Sequence, residues 1–260
     1  MAIKILAENI GKIFPSVEGP VVAIQDFNLQ VEEGEFVCIV GPSGCGKSTF
    51  LRILAGLIPP SSGHFKIIAA IDSNKPINNV IFQEYAIFPW KTVIDNVAFG
   101  LEMRSIPRNE RYDIACEWID RVGLRKFSNY YPHQISGGMK QRVSIARALA
   151  NDPEVLLMDE PLGALDAQTR AVLQEELLRI WEAFRTTVVY ITHSIDEAVL
   201  MGDKVILMTA HPGTNKAAFK IDIPRPRDLK TTSTPEFAAL TYSIWESLRD
   251  EVMRALEEQI

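Results

Sequence analysis

Two stretches of this chain carry residue types whose spacing suits phosphate chemistry. The first, Gly41-Pro42-Ser43-Gly44-Cys45-Gly46-Lys47-Ser48-Thr49, has the glycine, lysine and hydroxyl spacing of a phosphate-binding loop. Its glycines let the backbone turn tightly, so that successive N–H groups point inward at phosphate oxygens. A helix beginning at the end of the loop adds the partial positive charge of its N-terminus. Lys47 would reach the β- and γ-phosphates, and the Ser48 hydroxyl would take one place on Mg²⁺. The second stretch is Asp159-Glu160, directly after the apolar run Val155-Leu156-Leu157-Met158. Such a strand delivers two adjacent carboxylates at its C-terminal end, where ligands bind in parallel α/β sheets. Asp159 would accept a hydrogen bond from metal-bound water or from Ser48. Glu160 would orient and deprotonate an attacking water. Alone, an Asp-Glu pair after a strand reads more readily as a helix cap; the phosphate loop upstream decides for chemistry.

The elements that must hold these groups lie on either side. Phe36-Val37-Cys38-Ile39-Val40 reads as a buried strand feeding the loop, and Thr49 to Leu57 has helical spacing with Phe50, Ile53, Leu54 and Leu57 on one face. Residues 3–14 and 21–31 alternate imperfectly and predict antiparallel strands with one solvated face. Pro59-Pro60-Ser61-Ser62-Gly63 breaks the chain; a weakly patterned stretch over 64–78 follows, and then a short strand, Asn79 to Phe82, ends at Gln83. From about 84 to 137 the texture becomes helical, with Val93–Leu101 and Glu110–Val122 spaced in threes and fours, which predicts a helical lobe inserted into an α/β core. The core resumes with Ile145–Ala150, the Val155–Met158 strand, a helix over Gln168–Phe184 and the Thr187–Ile191 strand. A short helix (Ile195–Met201) and a strand (Lys204–Met208) complete it, and His211-Pro212-Gly213 closes it. Uninterrupted apolar strands alternating with helices indicate a largely parallel sheet covered on both faces. Ile223-Pro224-Arg225-Pro226-Arg227 is expected to run extended over the surface. A helix over about 235–259 opens at Thr234-Pro235 and carries the stripe Phe237, Leu240, Ile244, Leu248, Val252 and Leu256.

Bulk properties exclude several classes. At 260 residues, 47% hydrophobic and 23% charged, the chain is an ordinary globular domain with a sizeable core. A net charge of −6 argues against nucleic acid as a partner. No apolar run approaches the about eighteen residues of a membrane span, and the first residues do not resemble a signal peptide. Cys38, Cys45 and Cys116 have no ligand-like spacing, so reduced thiols in the cytoplasm are expected.

Ile135-Ser136-Gly137-Gly138-Met139-Lys140-Gln141-Arg142 places a hydroxyl and bare backbone N–H groups at the start of a helix. This is either a further anion-binding surface or simple helix capping. Together with the phosphate loop, the Asp-Glu strand, Gly163-Ala164-Leu165-Asp166 and Thr192-His193, it resembles the ATP-binding cassette ATPases over essentially the whole chain. The signature departs from the common pattern only at Ile135 and Met139; the segment 64–78 fits the family's usual strand pair poorly. The resemblance implies a P-loop NTPase (RecA-like) core with an antiparallel β subdomain and an inserted helical subdomain. It also implies two copies packed head-to-tail around two ATP molecules, each with Mg²⁺. In that arrangement residues Gly41 to Thr49 hold the phosphates and Phe14 stacks on adenine, although Phe14 also suits plain core. Gln83 senses the γ-phosphate and magnesium, and Ser136, Gly137 and Gly138 meet the opposite subunit's ATP. His193 holds the γ-phosphate and the attacking water, and Asp166 lies across the dimer contact.

One cassette per chain is unlike the tandem ribosome-acting members, and Thr49 and Ser136 are too close for the coiled coils of the DNA-repair members. The run Ile87-Phe88-Pro89-Trp90 with Thr92 to Leu101, the signature, Pro212-Gly213 and the segment 224–228 are similar to the nitrate, sulfonate, taurine and bicarbonate importer ATPases. That similarity implies separate membrane permease subunits, indirectly a solute-binding protein, and a peripheral position on the cytoplasmic face of the plasma membrane. The aromatic segment after Gln83 would line a groove for a permease helix; alternatively Phe88 and Trp90 fill the helical lobe.

Overall fold

A computed structural model describes residues 2–17, 19–70 and 74–257. Its framework is a six-stranded sheet in the order β5-β6-β7-β3-β8-β9. The strands are β3 (Phe36–Val40), β5 (Asn78–Ile81), β6 (Val155–Asp159), β7 (Thr187–Ile191), β8 (Lys204–Met208) and β9 (Asn215–Lys220). All neighbours are parallel except β8 and β9. A smaller antiparallel sheet, β2-β1-β4, is built from β1 (Ile3–Phe14), β2 (Val21–Glu32) and β4 (Ser62–Ile67). Helices α1 (Lys47–Leu54), α2 (Val93–Met103), α3 (Arg108–Arg121), α4 (Gly137–Ala150), α5 (Ala167–Phe184), α6 (Ile195–Met201) and α7 (Pro235–Glu257) complete the chain.

The central strands lack polar–apolar alternation because both of their faces are covered. In β3, Phe36, Cys38 and Val40 enter one core with the helices α4 to α7, while Val37 and Ile39 enter a second with α1 and the smaller sheet. Phe36 meets Trp181 edge-on at 5.5 Å in the first core, and Phe27 meets Phe50 at 4.5 Å in the second. The two sheets are tied where Gly213 donates to the Ala23 carbonyl (3.1 Å) and accepts from the Gln25 N–H (3.0 Å). A Cβ at Gly213 would lie 2.1 Å from the Cys45 carbonyl oxygen, so only glycine lets this strap approach the phosphate loop. Along α7, Phe237, Leu240, Ile244, Leu248 and Val252 all face the first core; the Leu256 side chain lies outside the described residues.

Four expectations are corrected. Helix α1 stops at Leu54 instead of running to Leu57: Gly56 is left-handed (φ 71°), and the Leu57 N–H turns back to the Arg52 carbonyl at 3.0 Å. This is a glycine-terminated helix end that leaves Leu57 55% exposed. The core does not close at residues 211–213, since β9 continues it as an antiparallel edge; with only Ala217, Ala218 and Phe219 apolar, β9 carried too little pattern to read. The stretch 62–67 is a strand on the edge of the smaller sheet, and residues 71–73 of the doubtful segment lie outside the described residues. Finally, the proline-rich segment is not a surface strap at its ends. Ile223 and Arg227 are buried, and the Arg227 guanidinium donates to the carbonyls of Val199, Leu200, Gly202, Ile221 and Ile223. A delocalised cation there satisfies the otherwise orphaned end of α6. Burial, with Arg225 alongside, lowers its pKa to about 10.

Candidate functional site

The parallel order β6-β7-β3 brings three strand ends together, and each carries a piece of the site. From β3 the chain enters the loop Gly41–Gly46, in which Gly44 (φ 78°) and Gly46 (φ 103°) adopt left-handed conformations. A Cβ at Gly46 would also stand 2.7 Å from the Ala23 carbonyl oxygen, so conformation and space both demand glycine. Lys47 then opens α1. Its ammonium is buried at 6% exposure and donates to the carbonyls of Gly41 and Pro42 at 2.8 Å each, with Cys45 Sγ 3.7 Å away. Folded back in this way, the lysine braces the loop with the same donors that a phosphate would take. Ser43 and Gly44 form the exposed turn at the tip, Pro42 and Cys45 are buried, and Thr49 follows Ser48 in the first turn.

From β6 comes the Ser48–Asp159 link: the serine hydroxyl donates to Asp159 Oδ1 at 2.8 Å. Asp159 is 4% exposed, and burial pushes its carboxyl above the usual range; Ser48 pulls it down and the neighbouring Glu160 pushes it up again. A buried acidic oxygen and a hydroxyl held side by side are the hard-oxygen donor set that Mg²⁺ takes. The next residue, Glu160, adopts a left-handed backbone (φ 44°) that costs an L-residue on the order of 1–3 kcal/mol. Its N–H donates to the Ile191 carbonyl (3.0 Å) and its own carbonyl accepts from the Gly163 N–H (3.0 Å), which holds the turn. The result is a carboxylate pointed at His193, whose Nδ1 lies 3.2 Å from Glu160 Oε2 after the end of β7. Glu160 keeps 20% of its side chain exposed and His193 keeps 54%, so both reach solvent.

The remaining expected residues lie elsewhere. Phe14 ends β1 at 37% exposure, with the Lys12 ammonium 5.1 Å above its ring, which sets aside the plain-core alternative. Gln83 is exposed just past β5. Ser136 caps α4, accepting from the Met139 N–H at 3.3 Å, and Gly137 and Gly138 form its first turn. A Cβ at Gly137 would stand 2.7 Å from the Tyr85 hydroxyl, and one at Gly138 would stand 3.0 Å from Thr169. Asp166 caps α5 by accepting from the Gln168 and Thr169 N–H groups at 3.1 and 3.0 Å, which lowers its carboxyl pKa. Ser136, Gly137, Gly138, Leu165 and Asp166 border one open cleft of about 530 Å³, and none of residues 41–49 lines it. Within one chain the signature surface and the phosphate loop are therefore separate.

Two residues that sequence reasoning passed over also act here. Asn96 is fully buried on the apolar side of α2. Its Oδ1 accepts from the Phe88 N–H (2.8 Å), and its amide donates to the carbonyls of Phe88, Lys91 and Thr92. It fixes the segment that presents Trp90, 72% exposed, while Phe88 packs on Phe99 at 4.6 Å. Glu197, in the first turn of α6, is the other. The available signal was the same in both cases: a polar residue inside an apolar helical stripe.

Replacing Lys47 by alanine removes the ammonium that donates to the Gly41 and Pro42 carbonyls and that a phosphate would take instead, charge-assisted bonds worth about 1.5–3 kcal/mol. ATP affinity, read by calorimetry, is expected to fall about 10- to 100-fold. Unchanged affinity would count against its role.

Residues 24–163 match the family model described as ABC transporter. An uncharacterized ABC transporter ATP-binding protein of Methanocaldococcus jannaschii is 49% identical, over 99% of this chain and 96% of that protein. A nitrate import ATP-binding protein of a Synechocystis species is 42% identical, over 93% of each. Among solved structures, an ATP-binding cassette dimer in a post-hydrolysis state, bound to ADP and phosphate, superposes with a TM-score of 0.75 at 33% identity. The match covers 85% of this chain and all of that one.

Proposed function

Since this chain belongs to the ABC transporter ATPase family and is an ATP-hydrolysing cassette, we propose that it powers an importer of a small anion, of the nitrate, bicarbonate, sulfonate or taurine class. The observation that carries the reading is the match, along nearly all of both chains, to a nitrate import ATP-binding protein. No helix among the described residues is long and apolar enough to cross a membrane, which suits a subunit bound peripherally to permease subunits on the cytoplasmic face. A solute-binding protein would deliver the anion to those subunits from the other side.

The mechanism follows from two incomplete half-sites. ATP lies on Gly41–Thr49 with Phe14 against the adenine, and Lys47 exchanges its loop carbonyls for phosphate oxygens. Ser48, Asp159 and Gln83 would hold Mg²⁺, which when bound neutralises charge on the β- and γ-phosphates. Because the signature cleft is separate from the loop of its own chain, Ser136, Gly137 and Gly138 serve the nucleotide of a second cassette, identical or related. The dimeric state of the solved neighbour supports this arrangement. In the closed dimer His193 holds the γ-phosphate, and Glu160 takes a proton from the water that attacks it in line. Asp166 lies at the seam between subunits. Release of phosphate reopens the dimer, and the Asn96-braced segment around Trp90 passes the movement to the permease. Only a difference in ATP affinity between open and closed dimers can drive this cycle.

The test is the purified chain's ATPase in detergent. Stimulation several-fold by its cognate permease is expected, with none from DNA or ribosomes. Stimulation by either of the latter, and not by permease, would move the chain to a non-transport role.

A further inference from the structure

Glu197 is a carboxylate at 5% exposure, and no lysine, arginine or histidine forms a salt bridge with it among the described residues. Burying such a group costs several kcal/mol unless its oxygens are fully used. Here they are used three times. Thr192 Oγ1 donates to Oε2 at 2.6 Å, the Tyr190 hydroxyl donates to the same oxygen at 3.2 Å, and Gln174 Nε2 donates to Oε1 at 2.9 Å. The Glu197 backbone N–H in turn donates to Ser194 Oγ at 3.2 Å. The circuit closes where the Ser194 N–H donates to Thr192 Oγ1 at 3.0 Å.

The direction of these bonds matters. An ionised carboxylate only accepts, so it forces the Thr192 hydroxyl proton toward itself and leaves the threonine lone pairs turned to the Ser194 N–H. Both neighbours of His193 are thus tied to one residue, Thr192 through its hydroxyl and Ser194 through the cap of α6. The half-exposed imidazole between them keeps its backbone fixed. Gln174 adds the helix α5, so the same carboxylate joins the His193 turn to the element that Asp166 caps.

We propose that Glu197 is a positioning residue for ATP hydrolysis, aiming His193 by fixing Thr192 and Ser194 on either side of it. The proposal rests on the reading of His193 given above. Its test is a double-mutant cycle on the full chain with Thr192→Val, which removes the connecting hydroxyl and keeps the shape, and His193→Ala. Hydrolysis rate, ATP affinity and melting temperature are measured for each variant. In the wild-type background Thr192→Val is expected to lower kcat about tenfold with ATP affinity within about twofold, and in the His193→Ala background to lower it little further. The same fold-loss in both backgrounds, or a fall in melting temperature with kcat unchanged, overturns the proposal and leaves the role of His193 standing. Full activity in His193→Ala alone overturns that role and the proposal with it. Should Thr192→Val fail to fold, Glu197→Gln serves in the same cycle, because the amide fills the same space but no longer dictates the hydroxyl's direction.

Discussion

A chain carrying Glu160→Gln is expected to hydrolyse ATP about 100- to 10,000-fold more slowly than the wild type, the span that loss of a general base produces. It should still bind ATP with full affinity and accumulate as an ATP-bound dimer. The amide keeps the volume of the carboxylate and can still bond His193 across the 3.2 Å separation, but it cannot accept a proton from water. The left-handed backbone at residue 160 is held by hydrogen bonds to Ile191 and Gly163 that involve main-chain atoms alone, so the exchange leaves the turn intact. Phosphate release in the steady state reads the first effect, and gel filtration with and without ATP reads the second. Weak nucleotide binding with no trapped dimer would refute the assignment. Adding Ser136→Ala and Gly138→Asp to the same background tests the shared site: the trapped dimer should disappear while binding to the monomer persists. A dimer indifferent to both changes would reduce the molecule to a hydrolase complete within one chain.

What the sequence disclosed and what it hid divide along a physical line. The phosphate loop, the Asp159-Glu160 pair and the Ser136–Gly138 turn are local: each lies within a few residues, and its chemistry depends on the strand or helix next to it. The central strands were legible as well, because burial on both faces leaves an unbroken apolar run. The features that hold the site in place were hidden because their partners are chosen by the folded path of the chain, near or far in sequence, and not by any local pattern. Arg227 reads as a surface charge among prolines, yet it satisfies carbonyls of α6 some 25 to 28 residues upstream. Asn96 and Glu197 look like breaks in a helical stripe until the loops they bind are folded over them. Strand β9 exists because β8 offers it an edge, and its own residues hardly require it. Glu160 shows the limit most clearly: its identity was readable and its strained backbone was not, although that backbone is what turns the carboxylate toward His193.

Asp159→Asn is expected to make the nucleotide-free chain more stable while lowering hydrolysis at least about a hundredfold, the usual trade at a site held ready for charge. Burial raises the Asp159 carboxyl pKa, so the folded state binds this proton more tightly than the unfolded state does. The group therefore favours folding at low pH, and the benefit is lost as pH rises through the raised value. At neutral pH the wild type carries a buried negative charge, eased by the Ser48 hydroxyl at 2.8 Å and aggravated by Glu160. Asparagine mimics the protonated form at every pH and can still accept from Ser48. Its melting temperature should exceed that of the wild type near pH 7–8, each kcal/mol relieved being worth about 2–4 °C in a chain of this size. The gap should narrow on acidification, as the wild-type carboxyl takes up its proton. Mg²⁺ with ATP should reverse the order, because the ion that repays the wild-type charge gains little from an amide. A lower melting temperature for the variant at neutral pH, or equal stabilisation of both proteins by Mg²⁺ with ATP, would remove Asp159 from the metal site.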